Sequence, residues 1–172
     1  MNKIKIRNAN LNDINDIVQL IIDSWNETYR GIISQAYLDD MKKNKTKLIK
    51  IMANEFNQKK IFVAIYNNEI IGFSEFVFSN ELSPDLNIDC ELCRLYIKKN
   101  YQRLGIGSKL YENIINTFKK AHKIKMGIWC IKNNIPAISF YEKKGARKIK
   151  ETNFTLFGDN KIYEMVALTF NL

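Results

Sequence analysis

Residues 88–118 bring a predicted strand, a short polar loop and a predicted helix directly one after another. Apolar residues alternate through 88–97, as in a strand, and Leu110, Ile114 and Phe118 recur at helical spacing. The loop between them ends in Gly105-Ile106-Gly107. Because glycines let backbone N–H groups approach an anion closely at the start of a helix, the segment predicts a phosphate-binding turn.

Two better-known phosphate loops do not fit this segment. The Walker pattern requires Lys and then Ser or Thr after its second glycine, and the dinucleotide fingerprint requires a third glycine and a later acidic residue. Neither is present around Gly105 and Gly107. Because two glycines before a helix also occur in ordinary turns, the loop by itself leaves a phosphate site and plain turn chemistry both open.

Hydrophobic periodicity outlines the other elements. We predict strands near 4–6, 61–66, 70–78, 88–97, 125–131 and 161–170, with short extended segments at 148–150 and 154–157. Helices are predicted from Asn10 or Asn12 to Trp25, over 35–56 in two pieces, from Ser108, and from Asn134. Asn67-Asn68 predicts a hairpin turn, and Gly72 a bulge. This order predicts a mixed α/β (α+β) sheet in a single domain over residues 1–172.

Charge is distributed unevenly along the chain, whose net charge is +9. Residues 61–93 contain six acids and neither Lys nor Arg, whereas residues 94–150 contain 15 basic and two acidic residues. This pattern suggests two ligands of opposite charge, although solvated surface charge would also explain it. A nucleic-acid-binding module would use the same basic stretch. We do not expect one, because these residues surround a glycine loop and lie beside an acidic block.

Composition excludes several other classes. The sequence contains no run of about 18 apolar residues, so we expect no membrane span. Residues 1–7 lack the apolar core of a signal peptide, so we expect a cytoplasmic protein. Cys90, Cys93 and Cys130 have neither disulfide-framework nor zinc-site spacing, so we expect reduced thiols and no metal. His122, the only histidine, follows Lys-Lys-Ala at a helix end, so we expect it to be structural or solvated and expect no catalytic triad.

Two ordered motifs resemble the GCN5-related N-acetyltransferase (GNAT) family. The segment 93–107, with Gln102-Arg103-Leu104-Gly105-Ile106-Gly107, resembles its acetyl-CoA motif, and 134–145 resembles its second motif, N-x-x-A-x-x-F-Y-x-x-x-G. The segment 25–31, Trp-Asn-Glu-Thr-Tyr-Arg-Gly, is similar to one in many bacterial members. Residues 154–160 resemble bacterial polyamine (spermidine or spermine) acetyltransferases. The departure is Ala146, where the family usually has Phe.

The resemblance implies a mixed, mostly antiparallel sheet of about seven strands, flanked by helices and splayed between strands 4 and 5. It implies an acyltransferase that uses acetyl-CoA as cosubstrate. The backbones of Leu95, Tyr96 and Ile97 would pair with the pantetheine arm, and residues Arg103, Leu104, Gly105, Ile106, Gly107 and Ser108 would wrap the pyrophosphate. Asn134 and Ala137 would contact the arm. Leu95 to Ile97 could equally be only a buried strand, and Asn134 only a helix cap.

Two residues are candidates for proton transfer. By resemblance, Tyr141 protonates the departing thiolate, since a phenol held by a helix can deliver a proton there. Glu91 would accept the proton of the amine, directly or through a water, and the backbone N–H of Ile97 would hold the oxyanion. Tyr141 could instead be a core aromatic, and Glu91 an exposed strand acid. Strand alternation predicts that Glu91, Cys93, Leu95 and Ile97 share one face.

We therefore expect direct acetyl transfer to a primary amine. The acidic stretch 61–93 favours a small cationic acceptor such as a polyamine. The alternatives are a protein or peptide N-terminus, or a regulatory module that binds CoA without turnover. The expected partners are acetyl-CoA and an amine, without nucleic acid or membrane, and a homodimer is left open.

Overall fold

One mixed sheet of seven strands forms the centre of the computed structural model, which describes residues 4–80, 83–156, 159 and 161–172. The strands are β1 (Lys5–Asn8), β2 (Lys60–Tyr66), β3 (Glu69–Val77), β4 (Cys90–Ile97), β5 (Lys125–Ile131), β6 (Arg147–Thr155) and β7 (Ile162–Asn171). The helices within these ranges are α1 (Ile14–Thr28), α2 (Gln35–Lys43), α3 (Lys45–Glu55), α4 (Ile106–Lys120) and α5 (Ile135–Lys143).

The strand order is β1-β2-β3-β4-β5-β7-β6. Every neighbouring pair is antiparallel except β4 and β5, which are parallel. The predicted mixed, mostly antiparallel sheet is therefore confirmed. One detail differs: the two extended segments predicted at 148–150 and 154–157 belong to a single strand, β6, which has a register shift between Lys148 and Lys150. Phe157 lies outside the described residues.

Helices cover both faces of the sheet. α1 and α3 pack on one face, where Ile17, Val18 and Ile21 of α1 meet Val63 and Phe73. α1 follows a capping box in which Asn10 and Asp13 satisfy each other's backbone N–H groups, which confirms Asn10 as the cap. α4 and α5 pack on the opposite face against β4, β5 and β7. The two helical layers therefore flank β4 on opposite faces of the sheet.

A bulge at Cys93 interrupts the alternation of β4. Leu92 lies opposite Phe76 and Arg94 opposite the adjacent Glu75, so Cys93 has no partner of its own on β3. Leu95 and Ile97 consequently share the α4 face. Glu91 and Tyr96 lie on the α1 face with Arg94, so the prediction that Glu91 shares a face with Leu95 and Ile97 is wrong. A one-residue bulge reverses alternation beyond it.

The β2–β3 hairpin holds β4 close. Asn67 and Asn68 form the predicted turn with φ of 49° and 63°, values that suit a tight hairpin. The predicted irregularity near Gly72 is present as a register shift where Ala64 pairs with Gly72 and Ile65 with Ile70. A Cβ on Gly72 would lie 2.6 Å from Ile97 Cδ1 and 3.1 Å from the Tyr96 carbonyl oxygen. Glycine is therefore required for β4 to lie this close.

Candidate active site

A gap opens between β4 and β5 immediately after they pair. They are matched only at Cys90–Met126 and Glu91–Gly127, and then β4 continues beside β3 while β5 continues beside β7. This is the predicted splay. The gap forms an open cleft of about 910 Å³, which the end of α1, the 98–105 loop and the starts of α4 and α5 also line.

The free edge of β4 in this gap has main-chain groups available for a ligand. The Lys98 N–H donates to the Ile71 carbonyl at 2.9 Å, so the main chain of Lys98 faces β3. In an antiparallel ladder the main chain of every second residue then faces the same neighbour. By alternation, the main chain of Tyr96 bonds to β3, whereas that of Leu95 and Ile97 points away from β3 into the gap. The Ile97 carbonyl accepts a bond from Gln102 Nε2 at 3.1 Å. An extended, amide-bearing arm could therefore add to β4 like a strand.

The start of α4 has the properties of an anion site. Gly105 is its N-cap with φ of 77°, no side chain caps it, and the first N–H groups of a helix lack intrahelical partners. Arg103 has φ of 61°, so two residues of the loop are left-handed. A Cβ on Gly105 would meet no atom within 4 Å, so that side of the loop is open. The residues present fit a phosphate-bearing ligand such as CoA.

The charges around the cleft agree with this fit. Three cationic side chains line it, and one acidic side chain, Glu27, lies among the described lining residues; the cations are Lys99, Arg103 and Lys143. None of the three forms an ion pair within the described part of the chain. They are available to pair with phosphate oxygens.

The structure brings most of the predicted ligand-binding residues to this cleft. The lining includes Leu95, Tyr96, Ile97, Arg103, Gly105, Gly107, Ser108, Asn134, Ala137 and Tyr141. Two predicted residues point elsewhere. The Leu104 side chain is 62% exposed outside the lining, and Ile106 is buried in the core. These two can contribute only main-chain groups to an anion at the loop.

Tyr141 is both a core aromatic and a cleft residue. It is 4% exposed and packs against Phe140 and Phe170, with ring centroids 5.1 and 6.0 Å away. Burial raises the pKa of Tyr141 well above its usual value. At neutral pH its hydroxyl therefore carries a proton, as a general acid must.

Glu91 lies at the junction where β4 and β5 separate, opposite Gly127, but it does not line the cleft. It is 5% exposed, so the alternative of an exposed strand acid is wrong. Its Oε2 has no hydrogen-bond partner among the described residues. Burial raises the pKa of Glu91, and a hydrogen bond with the Ser83 hydroxyl opposes this rise. Ser83 Oγ in turn accepts from Trp129 Nε1 at 2.8 Å.

The other acids of the 61–93 stretch are committed to protein partners. Three form ion pairs and one accepts from two backbone N–H groups: Glu69 with Lys98, Glu75 with Lys59 and Arg94, Asp85 with Lys150, and Asp89 with Ile124 and Lys125. Glu81 lies outside the described residues. The stretch is therefore not an open acidic surface, and Glu91 is the acid among its described members that has neither an ion pair nor a backbone N–H partner.

The cysteines show no sign of reactivity. Cys90, Cys93 and Cys130 are free thiols, and burial raises the pKa of each to about 12. Among the residues described, no group of three or more His, Cys, Asp and Glu side chains is arranged to hold a metal ion. No helix in the same part of the chain is long and apolar enough to span a membrane.

Sequence reasoning missed three side chains near the site. Trp25 Nε1 donates to the Tyr96 hydroxyl at 3.0 Å, and Asn134 Nδ2 donates to the Tyr29 hydroxyl at 3.3 Å. Two signals were available for Trp25 and Tyr29: the resemblance of the segment 25–31 to bacterial family members, and a four-residue spacing that puts both on one side of the end of α1. Ser83 precedes a proline in a loop, and nothing in the sequence indicates its contact with Glu91.

Comparison with known proteins establishes the family. The sequence matches the model of the acetyltransferase (GNAT) family over residues 18–146. The chain therefore belongs to this family and is an N-acetyltransferase. Members transfer the acetyl group of acetyl-CoA, so the predicted acetyl donor is confirmed together with the enzyme class.

Particular relatives resemble nearly the whole chain. A spermidine N(1)-acetyltransferase of Thermoplasma acidophilum is 29% identical over 167 residues, 94% of this chain and 98% of the relative. An uncharacterised N-acetyltransferase of Bacillus subtilis is 30% identical over 156 residues, 90% of this chain and 87% of the relative. The crystal structure of the PaiA N-acetyltransferase from T. acidophilum in complex with coenzyme A shares the fold, with a TM-score of 0.74, 24% identity and 99% coverage of both chains.

Proposed function

We propose that this N-acetyltransferase acetylates a small cationic primary amine, with polyamines as the leading class. The observation that carries the proposal is the buried carboxylate of Glu91, which has no ion pair among the described residues and a free Oε2, at the closed end of the β4–β5 gap. Its neighbours Cys90 and Leu92 pack against α4, so by strand alternation Glu91 lies on the opposite face of the sheet, the α1 face. The phosphates and the amine would then approach the gap from opposite faces, which suits direct transfer without an acyl-enzyme.

The cleft would hold acetyl-CoA along β4. The main-chain groups of Leu95 and Ile97 would bond the pantetheine arm, with the Ile97 N–H near the thioester oxygen. Arg103 and the N–H groups of Ile106 to Ser108 would bind the pyrophosphate. Asn134 and Ala137 would line the path of the arm from the start of α5. The raised pKa of Tyr141 supports its role as the group that protonates the departing sulfur.

Glu91 would accept the amine proton through a water. Its absence from the cleft lining argues against direct contact, and its free Oε2 supports a water as the intermediary. Ser83, held by Trp129, would position the other side of the carboxylate. Because burial raises the pKa of Glu91, the carboxylate is a stronger base than an exposed one.

A polyamine acceptor is supported by the similarity to a spermidine N(1)-acetyltransferase across almost the full length of both chains. The charge pattern of residues 61–93 gives weaker support than the sequence suggested, since most of those acids already have partners. Within this stretch, Glu91 is the acid that still supports a cationic acceptor.

The test is an amine panel with acetyl-CoA, read out as free CoA thiol and by mass spectrometry of the product. We expect turnover of spermidine or spermine, and much slower turnover of a peptide bearing a free N-terminus. Turnover of the peptide alone would replace the polyamine by a protein N-terminus. Tight CoA binding without turnover of any amine would indicate a regulatory module.

A further inference from the structure

Two side-chain donors, from Trp25 and Asn134, reach two tyrosine hydroxyls at the inner side of the cleft. Trp25 of α1 and Tyr29, the C-cap residue of α1, pack edge to face with ring centroids 5.1 Å apart. Trp25 Nε1 lies 3.0 Å from the Tyr96 hydroxyl. An indole N–H can only donate, so the oxygen of Tyr96 accepts this bond and the proton of Tyr96 is not used in it.

The Asn134 amide sets the direction of the next bond. Its Oδ1 accepts from the Ala137 N–H at 3.3 Å, so its Nδ2 is the group that donates to the Tyr29 hydroxyl. Burial raises the pKa of both Tyr29 and Tyr96. The two hydroxyls are close enough for each to influence the pKa of the other.

The bond from Trp25 occupies one lone pair of the Tyr96 oxygen and leaves the Tyr96 hydrogen unused. Among the described residues no hydrogen bond has Tyr96 as its donor, and Tyr96 lines the cleft. An ammonium, which offers only N–H groups, cannot accept this hydrogen. The hydroxyl needs an acceptor oxygen from whatever occupies the gap.

We propose that the Tyr96 hydroxyl donates a hydrogen bond to the thioester carbonyl oxygen of acetyl-CoA, and that Trp25, Tyr29 and Asn134 position it. The inference rests on the proposed acetyl-CoA geometry along β4. Tyr96 lies between Leu95 and Ile97, whose main-chain groups face the gap, and it lines the cleft together with Tyr141. That places it at the reacting end of the arm.

The bond would strengthen as the amine attacks, because negative charge develops on the carbonyl oxygen. A C–N bond forms, the C–S bond breaks, Tyr141 protonates the sulfur, and the amine proton goes through water to Glu91. Tyr96 keeps its proton throughout. Its contribution is a fixed donor in a site of low dielectric constant, in addition to the N–H of Ile97.

The direct test is infrared difference spectroscopy of acetyl-CoA labelled with ¹³C at the carbonyl, bound without an acceptor. A donated hydrogen bond lowers the carbonyl stretching frequency. We expect Tyr96→Phe to raise this frequency relative to the unsubstituted enzyme, Trp25→Phe to raise it part of the way, and Tyr141→Phe to leave it unchanged. An unchanged frequency in Tyr96→Phe would overturn the proposal, and an unchanged frequency in Trp25→Phe would overturn the positioning role.

Kinetics and binding separate the remaining outcomes. With an amine that turns over, Tyr96→Phe should lower kcat by about 10²-fold at unchanged affinity for free CoA. A loss of affinity for free CoA, which has no thioester, would assign the bond to a pantetheine amide and overturn the proposal. The infrared result needs no acceptor, so a failed amine panel would leave it interpretable. Thermal melts of each variant identify any that fail to fold.

Discussion

The Tyr141 hydroxyl is the group that we propose protonates the departing thiolate. Replacing Tyr141 by Phe removes the proton donor but keeps the ring that packs on Phe140 and Phe170. We predict a fall in kcat of about 10²-fold or more, with the Kd for CoA unchanged by calorimetry. Tyr111→Phe is the matched control, since Tyr111 is buried in the same cluster but does not line the cleft. Equal losses in both variants would contradict the assignment.

Glu91 should control the acidic limb of the pH–rate profile. As a base it acts when ionised, so kcat/KM should rise with pH through the raised pKa of Glu91 and then level off. Glu91→Gln should abolish that limb and lower the plateau. Glu27→Gln, which removes an acid that lines the cleft, should leave the limb in place. Loss of the limb in Glu27→Gln instead would identify Glu27 as the base.

The ionised form of Glu91 should also lower the stability of the folded protein at neutral pH. A carboxyl whose pKa is raised by folding stabilises the protein when protonated, and this stabilisation is lost as pH rises above the unfolded-state pKa. Glu91→Gln resembles the protonated form. We predict a higher Tm for the variant at pH 7.5, and a gain that shrinks as the pH approaches 4. A lower Tm for Glu91→Gln at pH 7.5 would contradict this prediction, because it would mean that the folded protein favours the ionised carboxylate.

At the scale of elements, the close approach of β3 to β4 shapes the cleft wall. Gly72→Ala puts a Cβ 2.6 Å from Ile97 Cδ1, so β4 must shift. We predict destabilisation of about 1–3 kcal/mol in urea unfolding and a weaker affinity for CoA. Adding Ile97→Val, which removes the clashing Cδ1, should restore most of both. If the double variant is no better than Gly72→Ala, the contact is not the cause.

The sequence was most informative about elements and least about their irregularities. The hairpin at Asn67 and Asn68, the glycine loop and the α5 cap at Asn134 were predictable because each has a local chemical requirement. The bulge at Cys93 was not, because no glycine or other local signal marks it. It changes which side chains face α1, and so the relation of Glu91 to Leu95 and Ile97.

Contacts between distant elements were also beyond the sequence. The bonds from Trp25 to Tyr96 and from Asn134 to Tyr29 join residues 71 and 105 positions apart. The ion pairs of the acidic stretch with Lys59, Lys98 and Lys150 join residues 16, 29 and 65 positions apart. Composition revealed those acids but could not reveal that protein cations neutralise them.

At the scale of the whole molecule, the uneven charge should appear as a salt dependence of cofactor binding. Lys99, Arg103 and Lys143 line the cleft where phosphates would lie. We predict that the Kd for CoA rises with ionic strength, and that Arg103→Ala raises the Kd at low salt and flattens this dependence. Lys120→Ala, at the far end of α4, should do neither. S-acetylpantetheine, which lacks the nucleotide phosphates, should bind with little salt dependence.

The most direct measurement is the crystal structure of the enzyme with CoA. We predict that the pantetheine arm lies in the β4–β5 gap, bonded to the main chain of Leu95 and Ile97, and that the pyrophosphate lies at the N–H groups of Ile106 to Ser108. Tyr141 Oη should lie within hydrogen-bond distance of the sulfur. A CoA bound elsewhere, or a sulfur beyond the reach of Tyr141, would contradict it.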